Sequence, residues 1–232
     1  MHDRRIAAAF VFATLSVAVV LRAADAPAAA ARTIILVRHG AYVADPKDAS
    51  PGPGLSPLGI AQAKLVAARL AGMPGSFDAL RTSPLTRAHE TARIIAAELP
   101  GVALEIVPDL AECTPSTRRK EAIAKEKPED LAACAARLDA LFGRLFVPAQ
   151  GKERREILVC HGNVIRSLIT RALGVDPEAW LEMSVAHASL TQIRVEPDGR
   201  FRVISIGDTG HIPPNLQTGA IGMEEKKLEA PR

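Results

Sequence analysis

The sequence predicts an α/β fold, a three-layer α/β/α sandwich around a mostly parallel sheet with a hairpin at one edge. Three observations carry that expectation. Short apolar, strand-like runs alternate with longer segments of helical spacing, the pattern of a layered α/β domain. Two of the runs, Ile35-Leu36-Val37 and Ile157-Leu158-Val159, are unbroken, as suits central parallel strands covered on both faces. Later, residues 189–195 and 201–206 flank the turn Glu196-Pro197-Asp198-Gly199, which reads as an antiparallel pair.

A chain of 232 residues can hold one domain with a sizeable core and a leader in front of it. Hydrophobic residues make up 48% but aromatic ones only 3%, so the core must be mainly aliphatic. A net charge of +3 and a pI near 8.9 are too mild to argue for nucleic acid, and no basic-aromatic stripe supports it. Cys113, Cys134 and Cys160 are odd in number and unpatterned, so neither a disulfide framework nor a zinc site is expected.

Residues 1–31 run basic, apolar, then small: Arg4-Arg5, an uncharged stretch from Ile6 to Leu21, and an alanine-rich segment. That order predicts a signal peptide and export to a periplasm, with an uncleaved membrane anchor as the competing outcome. The domain proper is expected over residues 32–214, with residues 215–232 as a polar tail.

Taken in order, the first strand ends at Arg38-His39-Gly40, where Gly40 is expected to give the turn its backbone freedom. Residues 45–54 are rich in Pro, Gly and Ser and should form a loop framing the site. Ser56 and Pro57 make a helix start, as N-cap and first helical residue, and Gly72 a stop. Residues 77–82 are a second strand. Ser83-Pro84 repeats the cap-plus-proline start, for a helix to about Glu98. Residues 103–107 form a third strand, followed by Leu110-Ala111-Glu112. Residues 113–127 hold five positive side chains and read as an exposed flap with some helix. Pro128 opens a long helix to about Phe146. The strand at 156–160 leads into a helix at 163–173, closed by Gly174.

The chemistry lies at the strand ends. In an open α/β sheet, ligands collect beyond the carboxyl ends of the strands. Two strands there deliver a histidine and then a glycine, His39-Gly40 and His161-Gly162, and Arg38 stands beside the first. Arg87 falls in the first turn of a helix, where free N–H groups and the dipole already favour an anion. Planar guanidinium groups suit a phosphoryl group, and a neutral histidine can attack its phosphorus. Neighbouring arginines push a histidine pKa down, which keeps the ring unprotonated at neutral pH. Glu112, after a strand end, is the best acid by position for the leaving alkoxide. His187 is read as structural, Asn163 as a helix cap, and Arg166 as a packing or pairing residue. No metal and no other cofactor is expected, because no HExxH or carboxylate-rich cluster accompanies the histidines.

Arg38-His39-Gly40, Ser83-Pro84-Leu85-Thr86-Arg87-Ala88, Leu110-Ala111-Glu112 and His161-Gly162 stand in the order found in the histidine phosphatase superfamily, which the chain resembles from about Thr33 to Pro214. The resemblance implies the phosphoglycerate-mutase-like fold, His39 as phosphorylated nucleophile, Arg38, Arg87 and His161 as phosphate ligands, and Glu112 as the acid. The segments at 160–166, 171–173, 180–181, 207–210 and 213–214 are most similar to the mitochondrial phosphoglycerate-mutase-like Ser/Thr protein phosphatases. That likeness implies phosphoserine and phosphothreonine substrates and a homodimer involving residues 207–214. The chain departs from it in carrying no tryptophan-rich assembly motif before the domain. The competing functions are a phosphoglycerate-type mutase, an envelope saccharide or lipid phosphatase, and a phosphate-binding module without turnover.

Overall fold

The computed structural model describes residues 27–44 and 52–220. The leader expected over residues 1–31 thus lies outside the described residues up to residue 26, as does most of the loop at 45–54. A six-stranded sheet forms the middle layer. Its strands are β2 (Arg32–Arg38), β3 (Ala79–Thr82), β4 (Leu104–Ile106), β6 (Arg154–Cys160), β7 (Leu190–Val195) and β8 (Phe201–Asp208), in the order β4-β3-β6-β2-β7-β8. The first four are mutually parallel, and β7 and β8 are antiparallel additions at one side. A two-stranded ribbon pairs β1 (Ala29–Ala30) with β5 (Ala149–Gln150), so residues at the end of the expected leader are part of the packed structure.

Four helices cover the two faces: α1 (Pro57–Ala71), α2 (Thr86–Glu98), α3 (Pro128–Leu145) and α4 (Gly162–Leu173). Side chains alternate along the strands, and each face meets its own pair of helices. Ile34, Leu36, Leu158 and Cys160 pack with Leu138, Leu141, Val164 and Leu168 of α3 and α4. Ile35, Val37, Ile157 and Val159 pack with Val66, Leu70, Ala92 and Ile95 of α1 and α2. These side chains are fully or nearly fully buried; cutting one leucine back to alanine costs about 2–5 kcal/mol.

Strand β6 carries a buried acidic residue held by two arginines. Glu156, 1% exposed, receives Arg32 Nη1 at 3.1 Å and Arg81 Nη1 at 2.5 Å.

Local structure differs from the sequence expectation in four places. Ser56 caps α1 as expected, accepting from Gly59 N, but Ser83 does not cap α2, which starts three residues later, after Leu85. Gly40 is absent from the left-handed region; it is required because its Cα faces α1, where an added Cβ would lie 2.5 Å from Gly59 O. Although no disulfide framework is expected, Cys113 and Cys134 form a disulfide that ties the segment after Glu112 to α3, while Cys160 stays free and buried. A bond between partners 21 positions apart depends on α3 folding back beside that segment, which spacing alone does not reveal. The fourth difference is at the C-terminal side. The packed structure continues past residue 214, through a short turn at Pro214–Leu216 to Thr218, which is 2% exposed.

Candidate active site

The register of β2 against β6 builds the site. Arg38 lies opposite Cys160, and His39 N donates to Cys160 O at 3.0 Å, so the two His-Gly ends leave the sheet at one level. The structure brings together Arg38, His39, Arg87, Glu112 and His161 there. The rings of His39 and His161 have centroids 5.0 Å apart, and His187, read from sequence as structural, has its ring 5.4 Å from that of His39.

His39 is buried and its tautomer is fixed by its partners. Gly40 O, 2.8 Å from Nδ1, can only accept, so Nδ1 carries the hydrogen. Nε2 therefore keeps its lone pair and accepts from Arg87 Nε at 3.2 Å. Burial holds the His39 pKa well below 6.5, aided by His161 and Arg38, so the ring is neutral at neutral pH. Arg87 itself lies over Tyr42, its guanidinium carbon 4.7 Å from the ring centroid.

Arg38 is anchored on one side only. Nη1 donates to Val185 O at 2.7 Å and Gly219 O at 2.6 Å, and Nη2 donates to His187 Nε2 at 3.1 Å. Nε is buried without a partner. Burial lowers the Arg38 pKa to about 10, still far enough above neutrality for a full charge.

His161 Nε2 lies 2.7 Å from Ser83 Oγ, and its Nδ1, buried and unpartnered, lies 3.9 Å from Glu112 Oε2. Burial, then Arg87 and Arg38, push its pKa down to about 2. The opposite happens at Glu112: burial lifts its pKa to about 7 despite Arg87, Arg38 and Arg166. Its Oε1 has no partner.

The arrangement is a largely buried cluster in which cationic and neutral donors face a single carboxyl group. Cationic guanidinium groups and neutral imidazoles leave Arg38 Nε, His161 Nδ1 and Glu112 Oε1 without protein partners, and buried polar atoms are ordinarily paired. An oxyanion of phosphate size would satisfy the first two, and a protonated Glu112 could donate to a bridging oxygen. Among the described residues, no group of three or more His, Cys, Asp or Glu is placed to hold a metal ion.

Of the neighbours, Asn163 differs from its expected role, whereas Arg166 both pairs and packs as expected. His161, not Asn163, occupies the cap position of α4. Asn163 Oδ1 instead accepts from Arg166 Nη2 at 2.7 Å, and Arg166 packs over Trp180 with its guanidinium carbon 4.7 Å from the ring. Three of the five positive side chains of the basic flap are paired, Arg118, Arg119 and Lys120 with Asp176, Glu182 and Glu178. Sequence reasoning missed Ser83, Gln62 and Thr218. Gln62 Oε1 accepts from Ala41 N at 2.8 Å, while its Nε2 donates to Leu216 O and Thr218 Oγ1. A lone glutamine on the buried face of α1 was the available signal.

Fold and site define a phosphate-handling α/β enzyme of the phosphoglycerate-mutase-like type. The profile of the histidine phosphatase superfamily (branch 1) matches residues 34–116 and 114–209. The chain belongs to the histidine phosphatase superfamily. It is 39% identical over 193 residues to the mitochondrial serine/threonine-protein phosphatase Pgam5 of Caenorhabditis elegans, covering 81% of this chain and 66% of that protein. It is 36% identical over 199 residues to the mitochondrial serine/threonine-protein phosphatase PGAM5 of Homo sapiens, covering 82% of this chain and 67% of that protein. The chain thus spans about two thirds of the length of these curated relatives.

Solved structures support the fold. A phosphoglycerate mutase from Plasmodium falciparum matches with TM-score 0.56 and 24% identity, over 79% of this chain and 95% of that one. A putative alpha-ribazole-5'-P phosphatase from Escherichia coli matches with TM-score 0.61 and 20% identity, over 76% and 96%. Phosphomonoester hydrolysis is the activity that this membership and these relatives support.

The expected export to a periplasm is corrected by the same relatives, which are named mitochondrial proteins. Basic-apolar-small order is a compositional pattern that does not by itself assign a compartment. No helix of the described residues is long and apolar enough to cross a membrane.

Proposed function

We propose that this chain hydrolyses phosphoserine and phosphothreonine esters through a phosphohistidine at His39. The observation that carries the reading is the convergence of a neutral, lone-pair-bearing His39 Nε2 with two arginines and three unpartnered polar atoms at one end of the sheet. Arg38 through Nε, Arg87 and His161 bind the phosphoryl oxygens. The His39 Nε2 lone pair forms the P–N bond as the P–O bond to the leaving group breaks. That oxygen takes the proton of Glu112, whose raised pKa keeps it protonated near neutrality. Glu112, now a carboxylate, then takes a proton from water. The water oxygen forms the new P–O bond, the P–N bond breaks, and His39 recovers its lone pair while phosphate leaves. No metal or cofactor enters either step.

The choice of phosphoprotein over sugar or lipid ester follows the relatives, whose names state serine/threonine-protein phosphatase. A screen over phosphoserine and phosphothreonine peptides, sugar phosphates and 3-phosphoglycerate with a trace of bisphosphate tests it. Preferred turnover of the peptides supports the reading; isomerisation of phosphoglycerate would make the chain a mutase. Phosphopeptide binding without hydrolysis would make it a non-catalytic module. The same reading includes a homodimer through residues 207–214 and a membrane contact through the apolar residues 6–21. Gel filtration and vesicle flotation of the full chain test these.

A further inference from the structure

We infer that His187 is a positioning residue, an unprotonated hydrogen-bond acceptor that sets the plane of the Arg38 guanidinium, held in that role by Thr218. The inference rests on the proposed reading only in taking Arg38 as a phosphate ligand.

The tautomer follows from the partners. A guanidinium nitrogen can only donate, so His187 Nε2, 3.1 Å from Arg38 Nη2, must offer its lone pair. The hydrogen is then on Nδ1, which donates to Thr218 Oγ1 at 3.0 Å. Thr218 is held in turn by Gln62 Nε2 at 3.0 Å, and its carbonyl accepts from His187 N at 2.9 Å. The charged groups facing the ring are Arg38 and Arg87, with His39 and Tyr42 beside it. Both arginines oppose a positive imidazole, which agrees with a pKa lowered to about 3, mainly by burial.

The backbone around the ring is built to present it. Ala188, the next residue, has φ 53°, a left-handed value uncommon for alanine, and its N–H donates to Arg38 O and His39 O. Gly219, at φ 79°, lies against the ring, where an added Cβ would be 2.4 Å from His187 Nδ1. Gly219 O also takes Arg38 Nη1. With Nη1 held by two carbonyls and Nη2 by the imidazole, the free Nε and the remaining Nη2 hydrogen form the edge turned towards substrate. Paired donors on one edge are the geometry guanidinium uses for oxyanions.

Replacement separates this role from packing. In the variant His187→Gln the longer side-chain amide can place an acceptor where Nε2 stands, whereas the shorter amide of His187→Asn reaches only Thr218. We expect the full chain with His187→Asn or His187→Ala to bind inorganic phosphate roughly tenfold more weakly, the effect of one lost charged hydrogen bond. KM for p-nitrophenyl phosphate should rise by a similar factor with a smaller change in kcat, because Arg38 contacts phosphate before and during transfer. His187→Gln should restore both to within about threefold of the wild type, since the charged hydrogen bond is kept. Gly219→Ala, which displaces the ring, should behave as His187→Ala does.

Wild-type phosphate affinity, and its loss in Arg38→Ala, checks Arg38 as a ligand without any turnover. Absent wild-type hydrolysis would thus defeat the catalytic reading and leave this test intact. Equal phosphate affinity in wild type and His187→Asn overturns the inference. So does equal impairment of the Gln and Asn variants in parallel with lost thermal stability, which would mark a packing role.

Discussion

Arg87 Nε donates to His39 Nε2 at 3.2 Å, so the nitrogen lone pair suited to attack phosphorus is already held by a cation that also suits the phosphate. A guanidinium bound to that lone pair must let go of it as substrate enters, and a phosphoryl oxygen is the natural new acceptor. Arg87→Lys keeps the charge and loses the planar fork. We expect its kcat/KM to fall about 100-fold, the equivalent of about 3 kcal/mol, with Tm changed little. Steady-state kinetics and thermal melts check this.

Glu112 gives a pH signature. With its pKa lifted to about 7, the acid form that in the proposed mechanism protonates the leaving oxygen is lost as pH rises through that value. The rate on a phosphoserine peptide should therefore fall above about pH 7, and Glu112→Gln should lose roughly 100- to 10,000-fold on that substrate. On p-nitrophenyl phosphate, whose leaving group needs little proton assistance, the loss should be much smaller. Rate profiles on both substrates separate the two cases.

The same shift acts on stability. A folded pKa above the unfolded 4.5 means that protonated Glu112 supports the fold fully below about pH 4.5, and that this support is lost as pH rises through about 7. Relative to Glu112→Gln, the wild type should thus lose stability between those limits by up to about 3 kcal/mol. Urea melts of both proteins at about pH 5 and about pH 8, on either side of the shifted value, give the comparison.

The disulfide stands directly beside this acid. Closing a loop with partners 21 positions apart is worth about 3 kcal/mol in the chain-entropy account. Cys134→Ser should lower stability by about that amount, and kcat on phosphoserine peptides severalfold as Glu112 loosens. Arg137 Nη2, which donates to Ala111 O at 2.8 Å, still holds the segment and keeps the loss partial. Treatment of the wild type with a dithiol should reproduce both effects in melts and rates.

What the sequence disclosed divides along local and non-local physics. Ile35-Leu36-Val37 and Ile157-Leu158-Val159 announce buried strands because an unbroken apolar run has few other uses, and their shared His-Gly endings announce the site. Ser56 and Gly174 are legible because a cap is settled within one turn of helix. Ser83 carries the same local signature as Ser56, yet its hydroxyl lies against His161, 78 positions away. A tertiary partner there wins over the cap. Gly40 was legible as a special position but not for its reason, since the crowding comes from Gly59 in another element. The Cys113–Cys134 bond and the grip of His187 and Gly219 on Arg38 depend on how remote segments meet, which periodicity does not encode.

Covalent phosphate on His39 is the central claim, and trapping it tests that claim most directly. Rapid quenching in base after mixing with a radiolabelled phosphoserine peptide should give labelled protein whose phosphate is stable to alkali, lost in acid, and mapped to His39. His39→Ala should carry no label and show no turnover. Turnover retained by His39→Ala, or label mapped to any other residue, would contradict the account.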